Sequence, residues 1–399
     1  MAGTADDAPE LMGGHHSISV QDSPQRWIPW MRRALQLASL AEGRTSPNPL
    51  VGAVVLDAED QIVGEGFHAR AGDPHAEVGA LAQAGLAAAG GTIVVTLEPC
   101  CHQGRTPPCV EAVLAAGVSR VVVALTDPDP RVAGGGIQRL RDAGLEVVVG
   151  VLEQEAAHQN RAFVHRVITG RPWGVLKWAM SLDGRTALPN GVSQWISGSS
   201  ARSWVHELRA GCDAVVVGGG TVRSDDPLLT SRGRRDPEPL RVVLSKSMNL
   251  SSNCRLWDQA TASTLLAHGS LADDIKASPL LRHLQQAGVS CRELDPCGPA
   301  SLLTALAERG CNRVLWECGP SLASAALAQA CVQELAVVVA PKLMGGMPAR
   351  TPLGSLGFTV MDQAIALDRW SAREIGDDLL LQALLKTQRI ASTSECPCE

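Results

Sequence analysis

A chain of 399 residues carrying a formal charge of −6 is long enough for two or more domains and too acidic for a broad nucleic-acid footprint. Its 45% hydrophobic and 19% charged residues can build proper cores, and any anionic ligand must be held by local arginines. The 12 cysteines are too sparse for a disulfide scaffold, and no apolar run approaches the ~20 residues of a membrane span.

Residues 1–24 hold Asp6, Asp7 and Glu10 but no apolar core, so they predict a flexible tail and not a signal peptide. The chain is expected to be soluble and cytoplasmic. An alternating pattern then begins. A helix is predicted over Trp27–Ala41, and strands over Leu50–Leu56 and Gln61–Phe67, joined by the turn at Asp57–Asp60. Helix His75–Ala89, strand Gly91–Leu97, helix Pro108–Ala116, strand Arg120–Leu125, helix Gly135–Ala143 and strand Leu145–Val149 follow. The later strands are apolar throughout, as in a sheet covered on both faces.

Within this stretch stands His75-Ala76-Glu77, followed by Pro99-Cys100 and then Cys109. One imidazole and two thiolates suit Zn²⁺ with its fourth position open to water. Glu77 is not needed as a ligand and is placed to move protons. The pattern His-x-Glu…Pro-Cys-x-x-Cys is a known zinc-deaminase signature, although here the second cysteine comes nine residues after the first. Taken singly, His75 could cap a helix and each cysteine could be a buried thiol. Together, and with Glu77 in step, they point to a metal. Cys101 and His102 adjoin Cys100, but neighbours on one turn do not easily converge on one tetrahedral ion. Cys100 and Cys109 are therefore the expected ligands, and His102 is left to reach substrate or solvent.

Residues 151–170 are expected to be helical, and Gly170-Arg171-Pro172 breaks the pattern, giving domains at 25–170 and 171–388 and a tail at 389–399. The second domain predicts strands at Gly174–Ala179, Asp213–Val217, Leu240–Leu244, Ser263–Ala267, Arg313–Trp316, Leu335–Val339 and Leu379–Leu384, with helices alternating between most of them. Two strand–glycine–helix junctions, Gly218-Gly219-Gly220-Thr221 and Glu317-Cys318-Gly319-Pro320, are each weak as phosphate cradles. As a pair they fit an extended nucleotide cofactor better than either does alone.

These residues match a family. The stretches Thr45-Ser46-Pro47-Asn48-Pro49, Gly72-Asp73-Pro74-His75-Ala76-Glu77 and Thr96-Leu97-Glu98-Pro99-Cys100, running on to Cys109, carry the likeness in the first half. Lys177 to Thr186, Ser193 to Ser197, Thr221 to Thr230 and Glu317 to Pro320 carry it in the second. The chain resembles the bifunctional riboflavin-biosynthesis deaminase–reductases, end to end except for the tails, and the long gap from Cys100 to Cys109 is that family's form of the motif. Cys101, Gln103 and Met180 depart from the family without removing a needed group. The resemblance implies a cytidine-deaminase-like α/β/α sandwich followed by a dihydrofolate-reductase-like α/β domain. It implies hydrolytic deamination of a phosphorylated diaminopyrimidine with one Zn²⁺ per chain, then NADPH-dependent reduction of its ribosyl group.

By the same likeness, His75, Cys100 and Cys109 hold the metal, and Glu77 is catalytic. Asn48, Lys177, Ser193, Arg209, Leu229, Arg232 and Glu317 meet substrate. Ala179, Trp195, Thr221, Asp225 and the segment Gly319, Pro320, Ser321, Leu322, Ala323, Ser324, Ala325 meet NADPH. The partners expected are a small phosphorylated pyrimidine and further copies of the chain as a homo-oligomer, with no nucleic acid and no membrane. A nucleic-acid-editing deaminase with an unrelated C-terminal module is the rival reading. The acidic charge and the cysteine spacing count against it.

Overall fold

The structure, a computed structural model, describes residues 24–103, 107–129, 133–270, 279–348 and 350–386. The expected tails, apart from residue 24 and with residues 387 and 388 added, lie outside these residues. So do residues 104–106 of the zinc loop, Pro130, Cys396 and Cys398.

The first domain is a three-layer sandwich. Strands β1 (Gly52–Leu56), β2 (Ile62–Phe67), β3 (Thr92–Leu97), β4 (Arg120–Leu125) and β5 (Glu146–Val149) form one sheet in the order β2-β1-β3-β4-β5. β1 runs antiparallel to both neighbours, whereas β3, β4 and β5 are parallel. The valine-rich strands feed two cores because successive side chains point to opposite faces. Ala53, Val55, Ile93, Val95, Val121 and Val123 meet helices α2 (Ala76–Ala84), α3 (Cys109–Ala115) and α4 (Gly135–Asp142). Val54, Leu56, Val94 and Val122 meet α1 (Ile28–Ser39) and α5 (Glu153–Gln159) on the other side.

Two expected helical stretches divide. The run to Ala89 divides into α2 and a 3₁₀ turn at Gly85–Ala88, where Gly85 takes φ 54°. The helical stretch after residue 150 divides at Asn160 into α5 and α6 (Arg161–Thr169). Asn160 is buried and pairs its amide with both backbone groups of Leu50, at 2.8 Å each. Its side chain thus holds the loop before β1, not the helix.

The second domain is built on a nine-stranded sheet: β6 (Trp173–Ser181), β7 (Ala214–Gly218), β8 (Leu240–Leu244), β9 (Thr264–His268), β10 (Ser290–Glu293), β11 (Arg313–Trp316), β12 (Glu334–Ala340), β13 (Leu367–Ile375) and β14 (Asp378–Leu385). Their order is β10-β9-β8-β7-β11-β6-β12-β14-β13. The seven strands from β10 to β12 are parallel, and β14 and β13 close the sheet antiparallel. Helices cover both faces of the parallel part. The two strands that the apolar pattern does not predict, β10 and β13, are the sheet's edges. Their side chains are almost all exposed, so neither carries a hydrophobic signal.

No helix among the described residues is long and apolar enough to cross a membrane.

Candidate active sites

The first site forms where α2 and α3 begin beside the end of β3. α2 starts directly after His75, and α3 starts at Cys109. The Nδ1 of His75 lies 3.0 Å from the Cys109 sulfur and 3.7 Å from that of Cys100. All three ligand atoms fall within 4.8 Å of one another. The Cys109 backbone N–H also points at the Cys100 sulfur, at 3.3 Å. A hydrogen bond from the Cys109 thiol, reinforced by His75, draws the Cys100 thiol well below its ordinary pKa, while the same bond and burial push Cys109 up. One nitrogen and two sulfurs at this spacing fit Zn²⁺ and leave room for a fourth ligand. The Cys101 sulfur lies instead beside the Gly135 turn.

Glu77 lines the same cavity, of about 880 Å³, and is only 3% exposed. Burial raises its pKa, with His75 opposing. A carboxyl that takes up a proton more readily than usual suits one that must carry protons.

Asn48 and His102 also line the cavity. The Asn48 Nδ2 is 3.0 Å from Nε2 of His68, whose Nδ1 lies 3.2 Å from the Pro74 carbonyl. The carbonyl can only accept, so His68 carries its proton on Nδ1, and its Nε2 accepts from Asn48. Burial first of all, with His75 adding to it, lowers the His68 pKa and keeps the ring neutral. The side-chain amide oxygen of Asn48, Oδ1, is left for a ligand. Nothing in the sequence pattern marks His68 beyond its place at the end of β2, and Phe163 and Arg166 of α6 enter the cavity equally unannounced.

Glu98, the residue before the Pro99-Cys100 pair, is buried and does structural work. Its carboxylate accepts from the backbone N–H groups of Asp127, Gly134, Gly136 and Ile137, at 2.9–3.1 Å. It thereby ties the end of β3 to the start of α4. At Gly136 only hydrogen fits, because a Cβ there would stand 2.1 Å from the Pro99 carbonyl oxygen.

The second site lies at the C-terminal ends of β6, β7 and β11, in a cavity of about 990 Å³. Lys177, Ala179, Ser193, Trp195, Arg209, Thr221, Asp225, Leu229, Arg232, Glu317, Gly319 and Pro320 all line it. The two glycine junctions stand side by side here, with Thr221 Oγ1 3.9 Å from where a Gly319 Cβ would lie.

At the floor is a charged triad. The Glu317 carboxylate accepts from Arg209 at 2.5 and 3.1 Å, and Lys177 Nζ lies 3.6 Å from it. Burial by itself would raise the Glu317 pKa, but Arg209 and then Lys177 reverse this and hold it at about 2. Arg209 also donates to the Thr230 carbonyl at 2.9 Å. This bears on the expectation that Arg209 reads a phosphate. Three of its five N–H groups are committed within the protein. Arg232, by contrast, is exposed at the cavity wall and has no carboxylate partner among the described residues.

The segment expected to follow Gly319 along the cofactor divides. Ser321, Leu322, Ala323, Ser324 and Ala325 lie on the helix Pro320–Ala328 and are not part of the cavity wall. Ala323 and Ser324 are buried, and Ser324 Oγ is bonded to the backbone of Gly354. Residues unremarked in the sequence shape the rest of the wall. Arg202 sits over the Trp195 ring at 4.7 Å, and Lys342, outside the wall, donates to the carbonyls of Trp195 and Ile196 at 3.0 and 2.7 Å.

The sequence matches the cytidine and deoxycytidylate deaminase zinc-binding region over residues 25–125. It matches the RibD C-terminal domain over residues 172–381. The riboflavin biosynthesis protein RibD of Synechocystis is 48% identical over 355 residues, covering 89% of this chain and 95% of that protein. This chain belongs to the RibD family. The RibD of Escherichia coli is 40% identical across 88% of this chain and 97% of its own length. Among solved structures, Acinetobacter baumannii RibD superposes with a TM-score of 0.82 at 38% identity, covering 92% of this chain and all of that one. The deaminase/reductase of Thermotoga maritima does so at 0.79 and 32% identity, covering 91% and 99%. The chain is therefore a bifunctional enzyme of riboflavin biosynthesis, with a zinc-dependent deaminase domain followed by an NADPH-dependent reductase domain.

Proposed function

We propose a division of labour among the residues. At the first site, His75, Cys100 and Cys109 hold the zinc, which when bound lowers the pKa of water towards ~7. Glu77 takes the proton of the attacking water and passes protons to the ring nitrogen and the departing amine. Asn48, its amide oriented by His68, accepts a hydrogen bond from the pyrimidine edge. The substrate is 2,5-diamino-6-(5-phosphoribosylamino)pyrimidin-4-one, and ammonia is released. The observation that carries this reading is the convergence of one nitrogen and two sulfurs beside a buried carboxyl in a cavity open to ligand.

At the second site, NADPH supplies hydride to the ribosyl group. Ala179, Trp195, Thr221, Asp225, Gly319 and Pro320 form its wall, and the helix N-terminus at Pro320 offers backbone N–H groups to a phosphate. Ser321 to Ala325 contribute through that helix and not through their side chains. Lys177, held by Glu317, is placed to deliver a proton to the sugar oxygen. Arg232 reads the substrate phosphate, while Arg209 positions Glu317 and offers its two remaining N–H groups. Ser193 and the backbone at Leu229 complete the substrate wall. The domains run 25–170 and 171–388.

The substrate is a small molecule, and we propose that nucleic acid is not a partner, in keeping with the charge of −6. Thiolate ligands and the ten free cysteines among the described residues suit a reducing, cytoplasmic setting. A homo-oligomer is supported by β13, an edge strand that exposes Trp370 and Leu367. Incubation with the diamino substrate, with and without NADPH, followed by mass analysis, tests the two reactions. Product should stop at the deaminated ribosyl compound without NADPH and proceed to the ribityl compound with it.

A further inference from the structure

The scheme above makes no use of Asn312, although its amide sits between the two halves. Asn312 is 6% exposed and lies in the turn entering β11, at the end of the sheet opposite the reductase cavity. Its Nδ2 donates to the carbonyls of Pro47 and Asn48, at 3.3 and 3.2 Å. Its Oδ1 accepts from Arg166 Nε at 2.5 Å, and Arg166 also donates to the Pro47 carbonyl at 2.8 Å. The backbone N–H of Asn312 is held by Asp213 Oδ2 at 2.7 Å, and that same oxygen accepts from Ser46 Oγ at 2.9 Å. Three consecutive residues of the deaminase loop, Ser46, Pro47 and Asn48, are therefore bonded by the reductase domain.

We propose that Asn312 is a positioning residue for deamination: it holds Asn48 in register with the pyrimidine, so the deaminase site is complete only with the reductase domain docked. The proposal rests on the reading that Asn48 meets the pyrimidine edge. Only a side chain that both donates and accepts can satisfy Arg166 on one side and two carbonyls on the other. A buried amide is costly unless so paired, and a misplacement of about 1 Å in a binding group can cost as much as 10²-fold. From within its own domain, the loop is held by the Asn48 N–H on the Thr45 carbonyl, by Arg166 on the Pro47 carbonyl, by His68 and by Asn160 beyond it. None of these grips the Asn48 carbonyl.

The test uses the full chain and measures ammonia release from the diamino substrate, bound zinc, and NADPH-dependent reduction of pre-deaminated substrate. Asn312→Ser and Asn312→Asp remove the amide hydrogens, without and with added charge. Each should raise the deaminase KM roughly tenfold, the equivalent of one hydrogen bond, while kcat, zinc content and reduction stay close to wild type. The double variant Asn48→Ala/Asn312→Ser should be no worse than Asn48→Ala alone. Ser46→Ala, which removes one hydroxyl from the same clamp without disturbing the sheet, should move the same KM in the same direction by about threefold. It covers the case in which the Asn312 variants do not fold. An unchanged KM in the variants that fold, or penalties at 48 and 312 that simply add, would overturn the proposal. If Asn48→Ala left KM unchanged while Asn312→Ser raised it, the reading of Asn48 would itself be the error.

Discussion

At the scale of single residues, each cavity contains a buried carboxyl, and the two are driven in opposite directions. Glu77 is desolvated without a committed cation, so its pKa rises. Glu317 is desolvated too, but Arg209 and Lys177 hold it as the anion. On the proposed scheme the first exchanges protons during turnover, while the second stays an anion and holds Arg209 and Lys177. Glu77→Gln should keep one zinc and lose ammonia release by roughly 10²–10⁴-fold, the usual share of general acid–base catalysis. Cys109→Ser should lose zinc itself. Metal analysis beside an ammonia assay separates the two, and zinc lost from Cys101→Ser but retained in Cys109→Ser would refute the ligand set. Glu317 makes a different prediction. Its folded pKa of about 2 lies below the ordinary value of 4.5, so its contribution is complete above the unfolded pKa. It is lost as pH falls from there towards 2. The upper bound is on the order of 3 kcal/mol. Denaturant titrations from pH 6 to about pH 2 should show a steeper loss of stability in wild type than in Glu317→Gln. Equal slopes would mean that the ion pair is not retained in solution.

At the scale of elements, the inner strands of both sheets were legible because short runs rich in valine and isoleucine, bounded by turn residues, fit a strand covered on both faces. The metal cluster was legible because a histidine, a glutamate and two cysteines in that order and spacing are rare in combination. What was not legible came from contacts between segments distant in sequence. His68 is an ordinary histidine until Pro74 and Asn48 are seen on either side of it. Arg209 looks like a free phosphate reader until Glu317, 108 residues away, is found against it. The edge strands β10 and β13 have no buried face to impose a period. Glu98 and Gly136 show how such contacts serve the site. Gly136→Ala would force a methyl against the Pro99 carbonyl, one residue from the Cys100 ligand. Overpacking of this kind costs ~1–3 kcal/mol. Thermal unfolding should show that loss, and zinc should be stripped by a chelator at lower concentration than from wild type. Unfolding and zinc retention equal to wild type would show that the turn relaxes without strain.

At the scale of the whole molecule, the parallel sheet of the second domain has a different task at each end. Its N-terminal strand ends meet the deaminase loop through Asp213 and Asn312, and its C-terminal ends hold the reductase cavity. Asn312 and Glu317 flank the four residues of β11, so the clamp and the charged triad stand about 17 Å apart, at ~3.3 Å per strand residue. Between them Val314, Leu315 and Trp316 are fully buried, which leaves no passage along that strand. The deaminated intermediate is expected to pass through solvent from one cavity to the other. Two crippled proteins should then complement each other. Glu77→Gln retains the reductase, and Lys177→Met, which leaves the Glu317–Arg209 pair in place, retains the deaminase. Neither alone should form the ribityl product, and an equimolar mixture with NADPH should form it after a lag in which the free deaminated intermediate accumulates. Mass analysis over time would follow all three species. A mixture that consumed the diamino substrate, accumulated the intermediate and still made no ribityl product would show that the intermediate is passed on only within a single assembly.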